Sequence, residues 1–330
     1  MGAKRTLAAV VVAAGLFGSA QACRADQIVV TNYGVTVGGW PYAVALAKGF
    51  FKEEGADITG ILTSAGGGTT IRNILAANVP YGEVGPAIAI QANLQGANLK
   101  IISDNITSVA DIAWVVKPDS PIKTLADLKG KKIGYTNPKS VSQGLSAFVI
   151  QAAGLKPNEA ELVRTGGFGE GLAALDIGAV DTTPIPEPLL AQNVKKYRIL
   201  ARGIDVLPIM DNTVGVTTPA AAETKGDVIR AIIRARRRGI EFIATHPDEA
   251  IPIIAKHANL PEESVKISLQ NVLAIKPNGV PYFGDGRIHL GGMKRIMAFQ
   301  KEIGAMDQVI DPTQYIDYSY LPDALKAPAP

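Results

Sequence analysis

The stretch that most restricts how this chain folds is residues 58–85, ITGILTSAGGGTTIRNILAANVPYGEVG, which joins a short apolar strand, a glycine-rich turn and a helix start. Such a junction belongs to a sheet with helices packed on its faces. Its turn, SAGGGTT, leaves backbone N–H groups uncovered where a helix from about Ile71 presents its own unpaired donors. An anion or a polar acceptor suits such a place. A nucleotide loop is excluded, because G-x-x-x-x-G-K-[ST] needs a lysine on the phosphates and none lies between Lys52 and Lys100. The turn alone leaves open whether it binds a ligand or only reverses the chain.

Around this unit the pattern repeats. Strands are expected at 27–31, 58–62, 81–85, 100–102 and 113–116, with helices at 43–51, 71–77 and 87–95 between them. In such sheets ligands sit at the carboxyl ends of the strands. The loop after the first strand holds Tyr33, Trp40 and Tyr42, three of the chain's eleven Tyr and Trp residues, among glycines. They either face a ligand or pack under the following helix. KPDSP at 117–121 is a polar, proline-bearing break, after which the cycle restarts. The strand at 133–135 runs into Ser140 and Ser142, which either cap the next helix or donate to a ligand oxygen. Phe168 lies in a glycine-rich loop, and Glu187 stands between two prolines. That glutamate either faces a hydrogen-bond-donating ligand or caps the helix from Leu189. The last third reads as mainly helical, with Arg230, Arg234, Arg237 and Arg238 on a solvated face.

The 330 residues are enough for two lobes, and 47% hydrophobic residues supply a core. The net charge of +3, without a basic-aromatic stripe, argues against nucleic acid. Lys4 and Arg5, an apolar run over 7–17 and small residues after it have the form of a secretory signal. The run is too short to span a bilayer. Cleavage after Ala25 is favoured over Ala22 because a strand begins shortly afterwards; a lipid anchor on Cys23, the only cysteine, is the less favoured alternative. His246, His257 and His289 are scattered, with no H-E-x-x-H, no C-x-x-C and no carboxylate cluster around a histidine. Neither a metal nor a cofactor is expected. No G-x-S-x-G elbow or other activated nucleophile is present, so an enzyme is not expected.

In this order and spacing, ALAKGFFKEEG at 45–55, the glycine turn followed by YGEVG at 81–85, LADLKGKKIG at 125–134, residues 174–181 and the Glu187-Pro188 turn are specific. Over nearly the whole mature chain they resemble the solute-binding proteins of ABC importers, of the nitrate/sulfonate/taurine type whose domain is shared with pyrimidine-precursor proteins. The resemblance implies an α/β fold, the two-lobed type II periplasmic binding protein, each lobe a mixed sheet flanked by helices. Residues 1–25 would be the signal, 26–115 the first part of lobe one, 116–214 lobe two, and 215–330 the rest of lobe one with the C-terminal helices. Crossover strands would be 114–117 and 214–217.

Its ligand loops map onto Asn32, Tyr33, Gly39, Trp40 and Tyr42, then Gly67, Gly68 and Thr69, then Gly85 and Pro86. Ser140, Ser142, Phe168 and Glu187 would face them from lobe two. One departure is that Tyr81-Gly82-Glu83 stands where the family usually has an Asp-Ile or Asp-Val pair. The implied function is capture of a small organic anion, a sulfonate or carboxylate with an aliphatic or aromatic body. Delivery would be to a permease and its ATPase at the inner membrane, by a periplasmic monomer. Glu187 fits an anion badly and suits a thiamine-pyrimidine precursor, the alternative ligand. A pyrimidine-synthesis enzyme of the same fold is disfavoured, because that family depends on its own histidine and a cysteine-rich motif.

Overall fold

The computed structural model describes residues 26–327 apart from 65, 78, 139, 207–209, 275, 277 and 278; the expected signal segment lies outside them. Strand β1 (Asp26–Thr31) pairs in parallel with β2 (Ile58–Ser64) and with β3 (Gly82–Val84). A strand with parallel neighbours on both sides is covered on both faces, which explains the uninterrupted apolar run Ile28, Val29 and Val30, all fully buried. The connections are α1 (Trp40–Ala47), α2 (Phe50–Glu53), α3 (Gly67–Ala77) and α4 (Pro86–Leu94). Helix α3 begins at Gly67 rather than at Ile71. The buried Thr70 hydroxyl meets those of Thr31 and Ser64 and donates to the Gly66 carbonyl, which ties the glycines into the first helical turn. Helix α1 likewise starts at Trp40, with Pro41 in its first turn.

After β4 (Lys100–Ile106) come β5 (Ile112–Val116), β6 (Lys132–Tyr135), α5 (Val141–Ala152), β7 (Glu161–Arg164), α6 (Phe168–Asp176), β8 (Thr183–Pro186), α7 (Leu189–Asn193) and β9 (Arg198–Arg202). The short α8 (Gly203–Val206) leads back to β10 (Thr213–Thr217). There follow α9 (Pro219–Thr224), α10 (Gly226–Thr245), α11 (Pro247–Ala258), α12 (Glu262–Ala274), β11 (Phe283–Gly286) and α13 (Leu290–Glu302).

The strands form a first sheet in the order β11-β4-β10-β3-β1-β2 and a second in the order β8-β5-β9. The parallel pair β6-β7 joins the second through a bridge between Ile133 and Thr182. The chain therefore passes between sheets twice, at 107–111 and between the end of β9 and the start of β10. This corrects the crossings expected at 114–117 and 214–217. Residues 112–116 pair with β8 and β9 inside the second sheet, and 213–217 pair with β3 and β4 inside the first. Apolar runs marked the strands, whereas the first passage itself is the shorter TSVAD, buried throughout.

Helix α10 packs on α1 closely enough that a methyl group on Gly239 would lie 2.2 Å from the Pro41 carbonyl oxygen, so only glycine fits there. Its Arg234 and Arg238 pair with Glu53 and Glu54, as a solvated face would. Arg236, one position off that face, is buried. No helix among the described residues is long and apolar enough to cross a membrane.

Candidate functional site

A crevice runs between the two halves of the molecule. Its walls are the first turn of α4 (Gly85, Pro86, Ala87, Ile88), the start of α5 (Val141, Gly144, Leu145), the second crossing (Met210, Asp211, Asn212) and α13 (Ile296, Phe299, Gln300). It holds about 20 Å³ of free space, room for one water-sized molecule. A methyl on Gly85 would sit 3.5 Å from Val141 Cγ2, so two helix starts from different sheets nearly touch there. Further along, the Phe148 and Phe299 rings stack at 3.4 Å between centroids, and Gln151 Nε2 donates to Glu302 Oε1 at 2.6 Å. Among the described residues no Lys, Arg or His lines the crevice, yet both carboxylate oxygens of Asp211 and the Oε1 of Gln300 lie buried without a hydrogen-bond partner.

Of the residues expected to contact ligand, Gly85 and Pro86 line this crevice. Gly67 lies behind the same wall, where an added methyl would meet Ile88 side-chain atoms at 2.9 Å. Gly68 is exposed, and Thr69 Oγ1 accepts from Arg72 Nη2 at 2.9 Å. Asn32 adopts a left-handed turn (φ 54°), its N–H donating to the Ser64 carbonyl at 2.8 Å. Tyr33 and Trp40 border a different, smaller depression beside Ile254 and His257 of α11. Gly39 lets the Tyr33 ring lie against the backbone, since a methyl there would come within 2.6 Å of it. Burial pushes the Tyr33 phenol up to about 12. Trp40 is only 2% exposed, a core residue under α1 rather than a free loop aromatic.

Tyr42 is fully buried as well, its hydroxyl donating to Glu83 Oε2 at 2.6 Å and meeting Tyr81 Oη at 2.9 Å. Ser140 caps α5, accepting from the Gln143 N–H at 3.2 Å, while Thr136 Oγ1 contacts Ser142 Oγ at 2.8 Å and Ser140 Oγ at 3.2 Å. Phe168 opens α6, half-buried.

Glu187 resolves toward the capping alternative. Its Oε2 accepts from the Ala191 N–H (3.1 Å) and Ser268 Oγ (2.9 Å), and its Oε1 accepts from Asn271 Nδ2 (2.6 Å). The carboxylate is fully buried and tied to α7 and α12, with no oxygen left for a ligand. What turned it was a helix more than 80 residues downstream in sequence, supplying donors at positions 81 and 84 residues away.

At the crossings lies a second set of buried acids. Asp104 at the end of β4, Asp211 in the second crossing and His289 before α13 bring one ligand-type atom each to within 4.8 Å of one another. Asp104 Oδ2 accepts from the His289 backbone N–H at 3.2 Å and lies 3.0 Å from His289 Nδ1. Burial pushes the Asp104 carboxyl up, and burial together with the Asp104 charge pushes that of Asp211 well up. Asp111, in the first crossing, is pushed up to about 7 by burial.

A family model described as NMT1/THI5 like matches residues 39–250 of the 330, well over half of the chain. The chain belongs to the NMT1/THI5-like family. It is 25% identical to the riboflavin-binding protein RibY of Chloroflexus aurantiacus over 64% of this chain, spanning 61% of that protein's length. It is 26% identical to a formylaminopyrimidine-binding protein of Halalkalibacterium halodurans, over 73% of this chain and 75% of that one. Among solved structures, the periplasmic aliphatic sulphonate binding protein SsuA of Escherichia coli matches at a TM-score of 0.74 and 19% identity, covering 88% of this chain and 91% of its own. The architecture is thus the type II periplasmic binding protein fold, in agreement with the resemblance carried by the sequence motifs.

In this NMT1/THI5-like chain, sequence reasoning passed over Asp104, Asp211, His289 and Gln300. The sequence held one signal for them: the polar turn 211–213 placed directly before an apolar strand. No carboxylate cluster around a histidine was expected, yet in space Asp104 and His289 meet across 185 residues.

Proposed function

We propose that this chain is the extracytoplasmic solute-binding component of an ABC importer, holding a small organic solute between its two halves and presenting the closed form to a membrane permease. The observation that carries this reading is the crevice itself, built from helix starts of both sheets and floored by one of the two crossings. About 20 Å³ is too little for an organic solute, so loading requires the halves to part about the two crossings, a hinge motion. The output is then a shape and not a product, and the chain acts as a periplasmic monomer without turnover. Support also comes from the two curated relatives, both binding proteins.

The solute we favour is an organic anion, a sulfonate or carboxylate, received where the positive N-terminal ends of α4 and α5 come together. A second reading, a solute rich in N–H donors such as a pyrimidine, is favoured by the unpartnered acceptors of Asp211 and Gln300 on the same wall. A thermal-shift screen of sulfonates, carboxylates, nitrate, pyrimidines and flavins on the purified protein separates them. A rise in midpoint with one class identifies the solute. No rise with any class overturns the binding role, and a rise confined to pyrimidines or flavins overturns the anion.

A further inference from the structure

The acids at the crossings do more than sit near the crevice. Asp104 is fully buried and its Oδ1 has no partner; Asp211 is fully buried and neither of its oxygens has one. Two buried carboxyl groups this close, with three oxygens left without a hydrogen-bond partner, stay buried only with a proton or a cation between them, since an ionised carboxylate without a partner is costly to bury. His289 can share that role at Asp104, from which it lies 3.0 Å, while the Arg295 charge acts on Asp211. Gly292 makes the space, because a methyl there would fall 2.3 Å from Asp211 Oδ1.

We propose that Asp104, Asp211 and His289 form a binding site for one divalent transition-metal ion, of the Zn²⁺ or Mn²⁺ kind. Two carboxylate oxygens and one imidazole nitrogen are a borderline donor set that such ions prefer over Ca²⁺, which takes six or more oxygens. Ligand bonds of roughly 2.0–2.2 Å place tetrahedral ligand atoms about 3.3–3.5 Å apart. Asp104 Oδ2 and His289 Nδ1, now 3.0 Å apart, would open by a few tenths of an ångström to reach that spacing, and the three ligand-type atoms all lie within 4.8 Å of one another. Asp211 borders the crevice, so an ion held there would lie beside the solute space. His289 keeps 14% of its side chain exposed.

The site would join the end of β4, the second crossing and the start of α13, and so would fix the crossing about which the halves part. It would also give an acidic wall the charge to meet an anionic solute.

The test is calorimetric titration of ZnCl₂, and separately MnCl₂, into the full chain after stripping with chelator, with no solute present. Wild type is expected to take up one equivalent of at least one of the two ions. Asp211→Asn and His289→Ala should each weaken uptake by at least about tenfold, as loss of groups in or around a metal site does. His246→Ala/His257→Ala should bind like wild type. If His289→Ala fails to fold by circular dichroism, His289→Gln replaces it. No uptake of either ion by wild type, equal uptake by the Asp211 variant, or a loss that follows His246 and His257 overturns the site. Because the titration needs no solute, its failure and that of the solute screen are read separately.

Discussion

Two groups of buried charge lie within the first sheet and its edge, and they are built in opposite ways. Around Glu83 every oxygen is used. Its Oε2 accepts from Tyr42 (2.6 Å) and Asn105 Nδ2 (2.8 Å), its Oε1 accepts from Thr213 (2.9 Å), and Arg236 stands 3.8 Å away. Arg236 in turn donates to the carbonyls of Gly284 and Asn105, each at 2.6 Å. Burial raises the Glu83 carboxyl and the Arg236 charge opposes that rise. Nearby, Asp104 in β4 and Asp211 in the second crossing leave three oxygens without a partner. Saturation marks a group that belongs to the scaffold; acceptors left over mark a place where something else completes the set.

Arg236→Met breaks the first arrangement most severely. It strands a buried carboxylate among hydroxyls, and removing one partner of a buried pair costs about 3–5 kcal/mol. Urea denaturation should show a midpoint far below that of wild type. A loss under about 1 kcal/mol would mean that the hydroxyl and amide donors alone hold Glu83.

How much of this was legible follows from the range of each interaction. The alternation of strands and helices is written in runs of ten residues or fewer, so the sheet strands and their loops came from local pattern. Tyr81-Gly82-Glu83 was noticed as a departure from the family pattern, but its meaning needed Arg236, a position on α10 that sequence spacing assigned to neither face. Trp40 and Tyr42 were picked as aromatics among glycines; the register of α1 against α10 turned both inward. Glu187, Asp211 and His289 are oriented by partners from distant elements, and no local signal carries that information. The crossings were misplaced for the same reason, since strand pairing across the sheet and not hydrophobicity decides which residues span the gap.

Asp111 sharpens the comparison from the first crossing, where its Oδ1 is also without a partner. Its carboxyl is held at about 7 against an ordinary 3.8, so between those values the folded chain keeps a proton that the unfolded chain has lost. Stability falls with rising pH wherever the folded state binds more protons. Asp111→Asn removes this contribution. The melting midpoint of the variant minus that of wild type should therefore climb from pH 4 to pH 7 and level off above. Asp104, Asp211 and Glu83 are raised too and remain in the variant, so its own curve still declines. A difference that is flat with pH would place Asp111 among the ordinary carboxylates.

Gly215 tests how tightly the saturated region is packed. A methyl there would lie 2.2 Å from Ser103 Oγ and 2.4 Å from Tyr81 Oη, both members of the network around Glu83. Gly215→Ala should cost about 1–3 kcal/mol, the usual range for overfilling a packed interior. Stability within about 0.5 kcal/mol of wild type would show that the network yields without loss, as surface sites do.

The smallest change is expected at Asp211, and it decides whether the two regions truly differ. Asp211→Asn keeps the shape, removes one of two facing buried carboxylates and offers an N–H to the unpartnered Oδ1 of Asp104. The amide stands in for a carboxyl that burial already pushes toward its protonated form, and the relief of repulsion from Asp104 offsets whatever attraction to Arg295 is lost. Urea denaturation at pH 7 of the chelator-stripped protein should give a stability within about 1 kcal/mol of wild type, on either side. If the substitution instead costs about 3 kcal/mol or more, the penalty of breaking a buried partnership, then Asp211 is as much a scaffold residue as Glu83. In that case leftover acceptors in this fold no longer distinguish a binding position from a structural one.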